Sequence, residues 1–346
     1  MADSKLDIVI IGAGPGGYVA AIRAAQLGLS VAVVEMDTPG GVCLNWGCIP
    51  SKNLIQQAEN YHVLAAMEKL GVKVDRKGLD YGVVHANSRS AASALAGGVT
   101  GLLRKNKIKV VKGRARLAGA GKVAVEGGET LVAKNILIAT GSRPMDVKGF
   151  EFDEKQVLSS TGILDMKKLP KSLVILGGGA IGCEFAFVMN AFGVEVTVVE
   201  MVDHLLPSED FECAAVLEHS FNKAGITVHT GTRATGLKRT AKTVTVALAT
   251  PEGDINVTAE KALVVFGRRP NTEDLGLDTV GIEADERGFI PVGHYNQTSA
   301  KGVFAIGDVT CTPLLAHVAS REGEIAVEYI AGHAGEMKQV DPDSVP

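Results

Sequence analysis

Tryptophan is nearly missing from this 346-residue sequence: Trp46 stands alone, and Phe, Trp and Tyr together make up 5%. So few rings argue against a stacking surface for single-stranded nucleic acid. Positive charge is not in excess. Lys and Arg number 35 against 39 Asp and Glu, a net charge of −4, and no Lys/Arg block appears. A nucleic-acid partner is disfavoured. Long hydrophobic runs are absent too. The longest uncharged apolar stretches, Ile8–Ile22 and Leu173–Cys183, are broken by glycine and too short to span a bilayer. Met1–Lys5 leads straight into an apolar strand, with no room for a signal peptide, so a cytoplasmic protein without a membrane partner is expected. Cysteines are few: Cys43, Cys48, Cys183, Cys213 and Cys311. An odd count in a leaderless chain does not fit a secreted disulfide framework.

Glycine is abundant. There are 41, about 12% against a usual ~7%. The excess suggests tight turns and close backbone approaches to a ligand. The length allows roughly two domains at about 150 residues each. With 46% hydrophobic and 21% charged residues, the chain can bury its own core without disulfides.

The same module occurs twice. Leu6–Ile11 reads as a buried strand, Gly12-Ala13-Gly14-Pro15-Gly16-Gly17 as a turn, and the apolar run to Leu27 as a helix stopped by Gly28. Ser30–Val34 is then a second strand, ending in Glu35. Shifted by 165 positions, the pattern recurs: strand Leu173–Leu176, turn Gly177 to Gly182, a helix ended by Gly193, and Val196–Val199 leading to Glu200. Further on, Ile136–Gly141 with Ser142-Arg143-Pro144 resembles Leu263–Gly267 with Arg268-Arg269-Pro270. The first copy carries 39 more residues between its matching points, and that insertion holds Cys43 and Cys48. Asp75–Gly82 reads as a polar loop, Val83–Lys105 as a long helix and Gly149–Lys155 as a linker. From about Asn271 the repeat ends. A short strand closing on Gly307-Asp308 and a helix over Leu315–Ala331 read as a return to the first module.

A lone Gly-x-Gly-x-x-Gly is a weak signal, but here each copy follows a strand, opens a helix and meets an acid 21 positions on: Gly14 to Glu35, Gly179 to Glu200. That is the spacing at which a dinucleotide-binding fold binds ribose hydroxyls. Gly12 and Gly177 permit the turn. Gly14 and Gly179 let a pyrophosphate approach the helix N-terminus. Gly17 and Gly182 allow close helix–strand packing. Glu200 repels a 2′-phosphate, so the second module should prefer NAD over NADP.

Cys43 and Cys48 are five positions apart. In a regular helix that is about 7.5 Å of rise alone, against Cα atoms within about 6.8 Å for a disulfide. Either the segment is not a regular helix or the two do not bond. Gly40, Gly41 and Gly47 make distortion easy. Pro50 suits a first helical turn and would put Cys48 near a helix N-terminus, where a thiol pKa falls. Lys52 shares that face if both are helical. Two ordinary buried thiols remain an alternative. No further ligands for a metal stand nearby, and the third cysteine of a plant-type iron–sulfur spacing is missing.

Gly40-Gly41-Val42-Cys43-Leu44-Asn45-Trp46-Gly47-Cys48-Ile49-Pro50-Ser51-Lys52, set between two dinucleotide motifs, resembles the pyridine nucleotide–disulfide oxidoreductases, and among them the dihydrolipoamide dehydrogenases. The resemblance covers essentially the whole chain. It implies an α/β fold of two Rossmann-like FAD/NAD(P)-binding domains of the three-layer ββα type, without a C-terminal dimerisation domain. The FAD-binding domain would be discontinuous, residues 1–145 and 273–346, and the NAD-binding domain 146–272. It implies that Cys43 exchanges with a lipoyl disulfide, that Cys48 faces the flavin, and that Lys52 pairs with Glu184. Glu184 lies in the apolar run Ile181–Met189, where a buried carboxylate wants a partner. A helix N-terminal dipole is the other reason for an acid there.

For FAD the resemblance implicates Gly12, Gly14, Pro15, Gly17, Glu35, Gly41, Val42, Lys52, Ala115, Thr140, Gly141, Ser142, Asp308, Leu314, Leu315, Ala316 and His317. For NAD it implicates Gly177, Gly179, Ile181, Gly182, Glu184, Glu200, Ala234 and Gly267. No metal is implied. The implied reaction is dihydrolipoamide plus NAD to lipoamide plus NADH, with lipoyl-domain proteins as partners, as in 2-oxoacid dehydrogenase complexes or glycine cleavage.

Two departures stand out. Val42 replaces a common Thr. Family members also continue beyond this point as an interface domain, which makes the homodimer and supplies an acid–base His. His62, His85, His204, His219, His229, His294 and His333 do not sit in such a motif and are expected at the surface. Other readings are a truncated core with only diaphorase activity (NADH to dye or quinone), a non-catalytic flavoprotein fragment, or a glutathione- or mercuric-reductase type. The glutathione type would favour NADP, and the mercuric type would bring extra tail cysteines.

Overall fold

The computed structural model describes residues 6–345. The chain divides into two compact units. One comprises residues 1–45, 92–143 and 269–346, and the other residues 46–91 and 144–268.

In the first unit, five strands pair in parallel in the order Lys109–Lys112, Val31–Glu35, Leu6–Ile11, Thr130–Ile138 and Val303–Ala305. Leu6–Ile11 is central, and Ile8, Val9 and Ile10 are fully buried. A continuous apolar run covered on both faces is what a parallel sheet demands. The N-terminal part of Thr130–Ile138 continues into an antiparallel meander with Lys122–Val125 and Ala115–Leu117. Leu117, Val123 and Val125 of the meander share a core with Val9, Ile11, Ala32 and Val34 of the parallel sheet. On the other face, helix Pro15–Gln26 packs on the strands and against helix Ala316–Ile330. The layers are helix, parallel sheet and meander, as the ββα reading expects.

The second unit repeats the plan. Parallel strands run in the order Thr227–His229, Glu195–Val199, Ser172–Leu176, Lys261–Val264 and Val157–Leu158. A three-stranded antiparallel sheet, Arg233–Arg239, Val244–Thr250 and Gly253–Ala259, shares a core with them through Val244, Val246, Leu248, Val174 and Leu176. Helix Ala180–Ala191 is helix Pro15–Gln26 shifted by 165 at both ends. Helices from 46–91 pack here: Leu54, Ala58, Tyr81 and Val84 share a core with Phe185, Met189 and Phe192.

Two local expectations change. Residues 149–155 are not a linker. They lie inside the second unit, where Phe150 is buried and the Asp153 carboxylate accepts the N–H groups of Lys155, Gln156 and Val157 at 2.7–2.9 Å. The long helix starts earlier than Val83, at Tyr81, whose ring is buried against Phe192. No helix among the described residues is long and apolar enough to cross a membrane.

Candidate functional site

The two glycine turns are built alike. Gly12 has φ +103° and Gly177 φ +115°. A Cβ on either would lie 2.3 or 2.5 Å from a backbone oxygen, of Ala139 and Val265 respectively, so only glycine fits. Gly17 and Gly182 approach the carbonyls of Gly12 and Gly177, to 2.0 Å from a would-be Cβ in both copies. Each turn ends at the N-cap of a helix, Gly14 or Gly179, with no side-chain cap and no acid in the first turn. Nothing lies within 4 Å of a Cβ built on Gly179, and only the Gly41 Cα, at 3.8 Å, comes near one on Gly14. Uncapped N–H groups beside open backbone suit an anion.

Each turn is closed by its own acid. Glu35 accepts from Ala13 N–H (2.7 Å) and Asp37 N–H (2.8 Å). Glu200 accepts from Gly178 N–H (2.6 Å) and Val202 N–H (3.0 Å). The carboxylates keep lone pairs for ribose hydroxyls and tie their own turns in place. These parts fit a dinucleotide in each unit.

Elsewhere in the first unit, Ser142 Oγ donates to Asp308 Oδ2 at 2.5 Å. Thr140 Oγ1 donates to the Asn271 carbonyl at 2.7 Å, and Asn271 N–H donates to the Gly141 carbonyl at 2.9 Å. Gly41 (φ +60°) lies so close to the first turn that a Cβ there would meet Gly14 Cα at 2.6 Å. Pro15 opens the helix, Val42 is exposed, and Ala115 is buried at the start of a meander strand. Leu314 and Leu315 are exposed just before helix Ala316–Ile330, whose N-cap has no side-chain bond, and His317 is exposed in its first turn.

In the second unit, Ile181 and Gly182 lie in the first turn of helix Ala180–Ala191. Ala234 sits at a bulge in the three-stranded sheet and packs on its core. Gly267 (φ +143°) follows strand Lys261–Val264.

The cysteine segment is not one helix. Gly41–Trp46 ends, Gly47 leaves helical geometry, and Cys48 opens helix Cys48–Lys69. Cys48 therefore stands at a helix N-terminus without a side-chain cap or first-turn acid, an environment that favours thiolate. Lys52 is one turn on, and its Nζ donates to Glu184 Oε1 at 2.7 Å. The pair is less buried than the apolar surroundings of Glu184 suggest: the Lys52 side chain is 62% exposed and that of Glu184 28%.

Three features escape a reading of the sequence. His85 is buried at 8% exposure, not at the surface, because it lies on the inward face of helix Tyr81–Lys105. Its Nε2 has no hydrogen-bond partner, with Asp165 Oδ1 3.8 Å away, and burial pulls its pKa down. Arg89, one turn further, lies over the Trp46 ring. Glu322 is buried at 1% exposure and accepts the Gly307 N–H. An acid in the middle of a helical apolar stripe was the available signal for the last. Among the described residues no cluster of His, Cys, Asp and Glu is placed to hold a metal.

The pyridine nucleotide-disulphide oxidoreductase family model matches residues 6–323. The chain is 46% identical over 329 residues to a dihydrolipoyl dehydrogenase of Thermus scotoductus, covering 94% of this chain and 71% of that one. To the dihydrolipoyl dehydrogenase of Geobacillus stearothermophilus it is 42% identical over 339 residues, covering 97% and 72%. Among solved structures it resembles LpdA of Mycobacterium tuberculosis, with TM-score 0.88, 32% identity and coverage of 97% and 74%. It also resembles the Cu(II) complex of the HOCl-induced flavoprotein disulfide reductase RclA of Escherichia coli, with TM-score 0.84, 27% identity and coverage of 97% and 72%. With its doubled dinucleotide fold and its cysteine at a helix start, the chain belongs to the pyridine nucleotide-disulphide oxidoreductases and is an oxidoreductase of the dihydrolipoyl dehydrogenase type.

Proposed function

We propose that this chain oxidises dihydrolipoamide with NAD, binding FAD in the first unit and NAD in the second. The observation that carries the reading is the matched pair of glycine turns, each closed by its own glutamate, with the cysteine segment between them in sequence. The proposed domain division in sequence, an FAD-binding domain of residues 1–145 and 273–346 and an NAD-binding domain of residues 146–272, differs from the two units chiefly at residues 46–91, which pack in the second unit.

FAD, when bound, supplies the two-electron carrier between the thiols and the nicotinamide. The chain's residues do the rest. A lipoyl thiolate attacks Cys43 of a Cys43–Cys48 disulfide, and Cys48 leaves as thiolate. The helix N-terminus at Cys48 and the Lys52 ammonium favour that anion. The second lipoyl thiol then displaces Cys43, closing the lipoyl disulfide and leaving Cys43 reduced. Ser142 and Thr140 fix the strand end beside Asp308, which would hold the ribityl chain. Glu200 accepts ribose hydroxyls and repels a 2′-phosphate, so NAD is preferred. Lipoyl-domain proteins are the proposed partners, in the cytoplasm, with a homodimer as the family's assembly.

A second reading rests on length: this chain spans 71–72% of the two dihydrolipoyl dehydrogenases compared above. In this reading the described fold passes electrons from NADH to dyes or quinones, as a diaphorase.

An anaerobic NADH titration followed by visible absorbance tests the main reading. A long-wavelength band that appears before the flavin bleaches supports it. Direct bleaching without that band overturns the coupling of thiol to flavin and favours the diaphorase core.

A further inference from the structure

Helix Ala316–Ile330 reaches both elements assigned to the cofactor in the first unit. At the glycine turn, the Ser320 Oγ lies 3.3 Å from the Pro15 carbonyl oxygen and 3.0 Å from that of Ala316, which share its single hydrogen. Gly323 lies so close that a Cβ there would meet the Gly16 carbonyl oxygen at 2.8 Å. At the other end of the site, Glu322 Oε2 accepts Gly307 N–H at 2.6 Å, and a Cβ on Gly307 (φ +66°) would strike the Ala319 methyl at 2.9 Å. Gly307 immediately precedes Asp308.

Thr310 Oγ1 donates to the Gly307 carbonyl at 2.8 Å. The Thr310 and Thr312 hydroxyls meet at 3.1 Å, and the Thr312 side chain bonds the Glu322 carboxyl in the sense that favours its charged form. Burial pushes the Glu322 carboxyl up, and the Asp308 charge adds to this against the opposing bonds from Gly307 and Thr312. The other charges of the two packed helices are paired elsewhere, Arg23 with Glu328 and Arg321 with Glu324.

We propose that Glu322 is a positioning residue: its buried carboxyl accepts the Gly307 N–H and so holds Asp308 in its cofactor-binding place. The cofactor part rests on the FAD reading of this unit; the hold on Gly307 does not.

The test uses the full chain, stripped of flavin and titrated with FAD, as parent, Glu322→Gln and Glu322→Leu. Glutamine keeps an acceptor for the Gly307 N–H. It should bind FAD as the parent does, while leucine should weaken FAD by about tenfold or more, the scale of a lost buried hydrogen bond. Loss with Gln equal to that with Leu, or no loss with Leu, overturns the proposal. Should the Glu322→Leu chain fail to fold, amide hydrogen exchange of the parent decides: the Gly307 N–H should be protected, and a freely exchanging Gly307 amide overturns the proposal. A parent that binds no FAD overturns the functional reading instead, and the Gly307 amide then decides Glu322 alone.

Discussion

Arg89 places its guanidinium carbon 4.3 Å above the ring of Trp46. Trp46 is two residues before Cys48 and is the one tryptophan of the chain, so its fluorescence reports on the cysteine segment without interference. A guanidinium on an aromatic face contributes about 0.5–2 kcal/mol. Arg89→Met should make Trp46 severalfold more quenchable by acrylamide while the fold persists. An unchanged quenching constant would show that backbone alone holds the ring.

Glu200 has a structural task, and the proposed function gives it a selective one. Its Oε2 accepts the Gly178 N–H, and in the proposed NAD site its charge would repel a 2′-phosphate. Glu200→Gln keeps an acceptor and removes the charge. The KM for NADPH should fall about tenfold or more, with little change for NADH, because the repulsion is specific to the phosphate. Glu35→Gln, in the other unit, should leave this ratio alone. An NADPH KM that does not move shows the preference lies elsewhere.

Asp153 predicts an acid transition. Burial pushes its carboxyl up, but the N–H groups of Val157, Lys155 and Gln156, with Arg239, outweigh it and hold it at about 2. The unfolded chain titrates near ~3.9. The stabilisation is therefore complete above that value and is lost as pH falls toward about 2. Asp153→Asn should lower stability by roughly 2 kcal/mol at neutral pH, and the two proteins should converge in urea melts as pH drops through this window. A constant difference across the window would contradict it.

The cysteines outside the redox segment should react unequally. Burial, with Glu200 and Glu184 nearby, pushes the Cys183 thiol up to about 12, and its Sγ donates to the Gly178 carbonyl. Cys213 and Cys311 are exposed. Iodoacetamide at pH 8 should label Cys213 and Cys311 and spare Cys183 in peptide maps. Labelling of native Cys183 would mean that helix Ala180–Ala191 opens.

The turns were legible because their chemistry is local. Only glycine fits at Gly12 and Gly177, and the acid must follow at a fixed distance, so spacing alone located Glu35 and Glu200. The broken helix at Gly47 was one of two options the cysteine spacing left open. What stayed hidden depends on distant packing. His85 looked like a surface residue because nothing near it in sequence announces the core it enters. Glu322 meets Gly307 across 15 positions, and Arg89 meets Trp46 across 43. The Lys52–Glu184 bridge, 132 positions apart, came from resemblance and not from pattern.

The first unit is assembled from three stretches of sequence and the second from two, and this orders their completion on the ribosome. The second unit's parallel sheet is complete once Val264 has been made. The first unit's sheet waits for Val303–Ala305, and the clamp on Gly307 waits for Glu322. The nascent chain therefore carries the finished sheet of the second unit while the sheet of the first is still open.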